Sequence, residues 1–135
     1  MTGHEARRVE GTWHNQLGSW MELRESDDGR IEGTMESPVG GALGKQPLTG
    51  YVAHFSDGRG VIGFVVAWHP TRSITTWSGH HDADVISANW LLTGGDFGEN
   101  EWQSTRVGHD VFHRVQVNVD VSPEPRTKEH SAPSQ

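Results

Sequence analysis

From residue 10 to residue 114 the chain is a succession of short runs in which polar and apolar residues alternate, most of them ending at a glycine-bearing turn. Alternation with a period of two sends successive side chains to opposite faces of a strand, and no segment keeps the spacing of an amphipathic helix. Leu17-Gly18, Asp27-Asp28-Gly29 and Asp57-Gly58-Arg59-Gly60 are turn chemistries suited to hairpins. The pattern predicts eight strands: about 10–16, 19–25, 30–37, 48–55 and 61–68, a sixth containing Ser73 to Gly79, then 83–93, and a last one starting near Ser104. His80-His81-Asp82 is expected to turn between the sixth and seventh. Strands joined by hairpins are antiparallel neighbours. Eight of them close into an up-and-down barrel wide enough for one small ligand. The expected fold class is therefore all-β, an eight-stranded antiparallel up-and-down β-barrel.

At 135 residues there is material for one domain with one core. Residues 1–9 lack a pattern and are expected to form a flexible arm, with the barrel over 10–115. Residues 116–135 read as a tail, strand-like at first, then disordered where Pro, Ser and charge accumulate. Across its start, Val115 to Val121 alternates strictly. That segment is either a solvated strand extension or a piece that packs against a neighbouring barrel or a site mouth. A formal charge of -7 without any Lys or Arg run argues against nucleic acid and anionic membrane as partners. No apolar run approaches the roughly 18 residues of a spanning helix, and the N-terminus lacks the apolar stretch of a signal peptide. Cysteine is absent, which excludes disulfides and thiolate chemistry.

The sequence pattern supports neither a metal site nor a catalytic one. His109 and His113 share a strand face, but four residues of strand separate them by about 13 Å, too far to hold one ion; no metal site is expected. His109 and Asp110 are adjacent and so face opposite sides, and no Ser-His-Asp or paired-carboxylate arrangement emerges on the inner face. The chain reads as a binder, not an enzyme, with no catalytic residues and no cofactor.

The inward faces carry the functional signal. Ser73, Thr75 and Trp77 share one parity, two hydroxyls followed by a large flat aromatic, where a packed core would prefer branched aliphatics. The matching faces of the other strands add Asn15, Ser19, Met35, Ser37, Trp68, Trp90, Leu92 and Asp110. An apolar wall with a few placed polar groups is what a ligand cavity needs. Asp110 is the sharpest of these, because a carboxylate inside a small barrel is costly unless it is paired. A ligand N–H would satisfy it, with Asn15 as an adjacent partner. The same groups also suit a water-bridged polar plug with tryptophan filler. Strand 61–68 is apolar on both parities, which asks for a partner subunit against its outer face. The loop from Gly40 to Pro47 has three glycines in its first five residues and is either a lid or a long connection. Trp102 sits on a polar loop and needs cover.

Seven stretches, in order over residues 11 to about 115, resemble the avidin–streptavidin family of biotin-binding proteins, its bacterial, streptavidin-like branch most closely. They are Gly11 to Ser19, Gly33 to Ser37, Leu48-Thr49-Gly50, Val66-Ala67-Trp68, Thr75 to Gly79, Asn89 to Thr93, and Ser104 to Asp110. The resemblance implies a barrel closed at one end and binding biotin at the other. It implies that Asn15 and Ser19 hydrogen-bond the ureido oxygen, that Asp110 and Ser37 take the two ureido N–H groups, and that Thr75 reaches the thioether sulfur. Ser73 and the backbone N–H of Gly41 would hold the valeryl carboxylate. Trp68, Trp77 and Trp90 would wall the bicyclic ring beside Leu17, Val39 and Leu92, and Trp102 would cover the site of a neighbouring subunit. The implied assembly is a homo-oligomer, a tetramer with a dimer as the alternative, and the implied localisation is secreted. Two departures stand out. Met35 takes the place of a tyrosine that donates to the ureido oxygen, so biotin affinity is expected to be high but below that of the tightest members. The turn at 69–72 is shorter than in streptavidin. A barrel that takes another small ureido-like or hydrophobic ligand is the alternative.

Overall fold

The computed structural model describes residues 8–38, 44–95 and 105–116. Every regular element among them is a strand: β1 (Gly11–Asn15), β2 (Trp20–Glu25), β3 (Arg30–Glu36), β4 (Gln46–His54), β5 (Arg59–Trp68), β6 (Ser73–Asp82), β7 (Val85–Thr93) and β8 (Thr105–Arg114). Each strand pairs antiparallel with the next, and β1 pairs with β8 through Trp13↔Arg114, His14↔His113 and Asn15↔Phe112. The barrel is closed, in the order the hairpins dictate.

Alternation decides what faces inward. On β2, Met21, Leu23 and Glu25 are buried while Trp20, Glu22 and Arg24 are exposed. On β5, Ile62, Phe64, Val66 and Trp68 are buried while Val61 and Ala67 are exposed. The lower barrel is filled by Trp13, Leu23, Ile31, Val52, Ile86 and Phe112. Such close packing of large side chains makes this end a solid core.

The segment ahead of β1 seals it. Residues 8 and 9 do not belong to a loose arm. Val9 is fully buried, its N–H donates to Glu25 Oε1 at 3.1 Å, and its carbonyl accepts Trp13 Nε1–H at 3.0 Å. The Arg114 guanidinium donates to the carbonyls of Glu10 and Arg8, lies 4.4 Å over the Trp13 ring and pairs with Asp84 at 2.7 Å. An apolar valine preceding the first strand is the signal that the sequence reading passed over. Residues 1–7 lie outside the described residues.

Three boundaries differ from expectation. β4 starts at Gln46 and β5 at Arg59, each two residues early, because the ladder runs past the apolar stretches that mark strands in sequence. His80, His81 and Asp82 are strand, paired with Ser87, Ile86 and Val85, and the turn is Ala83-Asp84. Ala83 adopts a φ of 56° there, a conformation for which alanine carries no sequence signal. β8 ends at Arg114, and Val115 N–H donates to the Thr12 carbonyl at 2.8 Å. Residues 117–135, with most of the alternating tail, lie outside the described residues.

Candidate ligand-binding site

The β1–β2 turn places the first group. Asn15 Oδ1 accepts the backbone N–H groups of Leu17 at 3.0 Å and Ser19 at 2.9 Å, folding the turn back over its own side chain. Gly18, at φ 89°, supplies the left-handed step that this requires. Asn15 and Ser19 are thereby buried side by side, with Leu17 at the rim. With its oxygen engaged, Asn15 retains its Nδ2 amide as the donor.

β5, β6 and β7 build the aromatic wall. Trp68 Nε1–H donates to Thr75 Oγ1 at 2.9 Å, which leaves the Thr75 hydroxyl proton to be given elsewhere. Trp77 stacks on Phe64, with ring centroids 4.8 Å apart and planes 18° from parallel. Its Nε1–H donates to Asp110 Oδ2 at 3.0 Å. Trp90 lies over Gly108 of β8, where a Cβ would stand 2.2 Å from its ring. The glycine is what lets the indole lie flat.

These elements surround a cavity of about 170 Å³ at the open end of the barrel. Every described candidate lines it: Asn15, Leu17, Ser19, Met35, Ser37, Trp68, Ser73, Thr75, Trp77, Trp90, Leu92 and Asp110. Thr71 joins them, with its hydroxyl 3.0 Å from that of Ser73. It escaped the sequence reading because it belongs to a turn, where strand parity says nothing. Val39, Gly41 and Trp102 lie outside the described residues, as does most of the expected lid. Asp110 finds its protein partner in Trp77, while the acceptor oxygen of Asn15 serves its own turn; the expected Asn15–Asp110 pairing gives way to these two. The second carboxylate oxygen, Oδ1, is buried with no hydrogen-bond partner among the described residues.

A sequence profile described as "Avidin family" matches residues 4–115. The chain belongs to the avidin family. Avidin of Gallus gallus is 29% identical to it over 132 residues, spanning 87% of this chain and 86% of that protein. The crystal structure of xenavidin superposes with a TM-score of 0.70 at 31% identity, covering 79% of this chain and 97% of that one. An avidin-family barrel is a scaffold for ligand binding, and the cavity sits at the mouth of this one.

The outer face of this avidin-family barrel carries one arrangement that parity did not reveal. Ser87 Oγ lies 2.9 Å from His109 Nε2, and His109 Nδ1 lies 2.7 Å from Asn89 Oδ1. Asn89 and His109 are exposed and Ser87 half-buried, on strands paired on both sides. Their backbone N–H groups are thus committed to the ladder and not aimed at a substrate, as an acyl-transfer site would need. Among the described residues no cluster of three or more His, Asp or Glu is placed to hold a metal ion.

Proposed function

We propose that this chain binds biotin, non-covalently, in the open end of the barrel. One observation carries the reading: Asp110 Oδ1, buried and without a partner among the described residues, beside a cavity that three indoles help to wall. Buried polar atoms are nearly always satisfied, and one left open at a cavity marks where a ligand donor belongs. A ureido N–H supplies that donor. Ser37 takes the second ureido N–H, and Asn15 Nδ2 and Ser19 donate to the ureido oxygen. Thr75, already accepting from Trp68, gives its proton to the thioether sulfur. Ser73, with Thr71 beside it and the Gly41 N–H, receives the carboxylate. Trp68, Trp77 and Trp90 enclose the rings with Leu17, Val39 and Leu92.

Met35 sets the affinity. A thioether donates nothing to the ureido oxygen, and losing one hydrogen bond to a charge-polarised group weakens binding by roughly 1.5–3 kcal/mol, about ten- to a hundredfold. Binding is therefore weaker than in family members that carry tyrosine there. The protein works as a homo-oligomer, a tetramer in preference to a dimer, with Trp102 closing a neighbour's site. Exposed Tyr51, Val61, Ile74, Leu91 and Val107 on the outer faces of β4 to β8 support a partner subunit. Secretion is the localisation we infer, by likeness to the family.

Calorimetric titration with biotin, with the release rate followed in parallel, tests this. One site per chain, a large exotherm and slow release are expected. No heat and no thermal stabilisation would sink it and favour the second reading, a different small ureido-like or hydrophobic ligand. Met35, a cavity-lining side chain that donates no hydrogen bond, is the observation behind that reading.

A further inference from the structure

The end of the barrel remote from the cavity holds a second buried polar cluster, which ligand binding does not use. Glu25 ends β2, His54 ends β4 and His81 lies one residue from the end of β6. Glu25 is 4% exposed and His81 1%. His54 Nε2 stands 2.6 Å from Glu25 Oε2, and His54 Nδ1 stands 3.0 Å from His81 Nε2. The other Glu25 oxygen accepts the Val9 N–H. Gly60 of β5 makes the row possible. It pairs with His54 on one side and His81 on the other, and a Cβ there would stand 2.4 Å from His81 Nε2. With no side chain between them, the two imidazoles meet edge to face, centroids 4.9 Å apart.

The row fixes its own protons. With Glu25 ionised and both rings neutral, His54 must carry its proton on Nε2 to meet the carboxylate. Its Nδ1 is then bare and accepts from His81 Nε2–H. His81 Nδ1 is left as a bare lone pair, buried and unpartnered among the described residues. Around His81 stand His54, Asp82 of its own strand, Arg114 of β8 and Arg8 of the segment ahead of β1, with Glu25 one imidazole away. Arg59 lies opposite Asp82 and pairs with Asp57, and Asp84 in the β6–β7 turn pairs with Arg114.

We propose that Glu25, His54 and His81 form an acid-released latch, which holds the segment ahead of β1 against the closed end at neutral pH and frees it in acid while the ligand end stays folded. A proton added to His81 Nδ1 makes a buried N–H without an acceptor, close to two guanidinium groups. Burial first, then His54 and Arg8, lower its pKa from 6.5 to about 4. Lifting the segment takes the Arg8 charge away from His81 and opens the closed end beside Glu25, so His81 takes the proton more readily in the lifted form. Acid therefore favours the lifted form increasingly from pH 6.5 down to 4, and Val9 loses its place on Glu25. The latch stands independently of what the cavity binds.

Amide exchange in the full chain, corrected for the intrinsic pH dependence and followed by NMR from pH 7 to 4, tests it. Protection of the Val9 amide is expected to fall at least about tenfold between pH 6.5 and 4, given the size of the linkage, while the amides of Trp77 and Asp110 hold theirs. His81→Gln keeps a donor for His54 Nδ1 but does not titrate, and is expected to abolish most of that fall. Protection of Val9 maintained to pH 4, an equal fall in His81→Gln, or parallel loss at Trp77 and Asp110 would each overturn the proposal. Should the variant not fold, ring ¹⁵N shifts of the wild-type chain, read beside its Val9 exchange, decide. A His81 ring that takes its proton in step with the loss of Val9 protection supports the latch, and a ring that titrates while Val9 stays protected overturns it.

Discussion

Each end of the barrel buries one carboxylate, and the two are finished differently. Both oxygens of Glu25 are engaged, one by the Val9 N–H and one by His54. Asp110 has one oxygen on Trp77 and the other on no group among the described residues. The strands, their parity and their low exposure are alike, so the surroundings do not make the difference. The number of donors that the chain itself supplies does. A site completed from within holds the fold together, and a site left one donor short is stable only at a cost that a ligand can relieve.

Three substitutions and one titration would break or sharpen this contrast. The largest effect is expected from Glu25→Ala. It strands the half-buried His54 and the buried Val9 amide, costing about 3 kcal/mol and lowering the melting temperature by roughly 10 °C or more in a domain of this size. The biotin stoichiometry of the folded fraction should be unchanged; a loss of sites in step with stability would mean that the two ends are not separable. Asp110→Asn should do the reverse. Affinity for biotin is expected to drop about ten- to a hundredfold, while the melting temperature of the unliganded protein stays level or rises. A clear fall in that temperature would show that the open oxygen was not a liability. Met35→Tyr adds a donor at the ligand end and should tighten binding by about tenfold, measured as a slower release rate. Looser binding would mean that the hydroxyl does not reach the ureido oxygen.

The last of these concerns pH. The His81 pKa lies below its unfolded value of 6.5, at about 4, so above pH 6.5 neither state holds the proton and His81 contributes no slope. As pH falls the unfolded chain is protonated first, so stability declines between 6.5 and 4 and levels off below. Urea melts at pH 7, 5.5 and 4.5 should show that decline in the native sequence and a shallower one in His81→Gln. Parallel curves would remove His81 from the explanation.

The two ends also differ in how far they can be read from sequence. Ser73, Thr75 and Trp77 announce an unusual inner face because neighbours two apart on one strand share it, and the same rule gathers Trp90 with Leu92. Asp110 stands out as a carboxylate on that parity. Nothing comparable marks the latch. Glu25, His54 and His81 come from three strands, and they meet only because the ladder register sets Gly60 between the histidines. Register across β4, β5 and β6 depends on turns, and the sixth turn is the one misplaced: a left-handed alanine at 83 does not declare itself, so His81 reads as a turn residue. Thr71 was hidden for the same reason.

The seam where β1 meets β8 has a consequence for how the protein comes into being. Asn15 and Asp110 flank the same cavity, yet one belongs to the first strand and the other to the last. Joining them closes nearly the longest loop that the chain allows, so the contact forms late and makes for slow folding. A nascent chain that still lacks β8 has neither a sealed barrel nor the carboxylate, and so no cavity to fill. Binding competence therefore arrives in a single step, when the last strand is laid down.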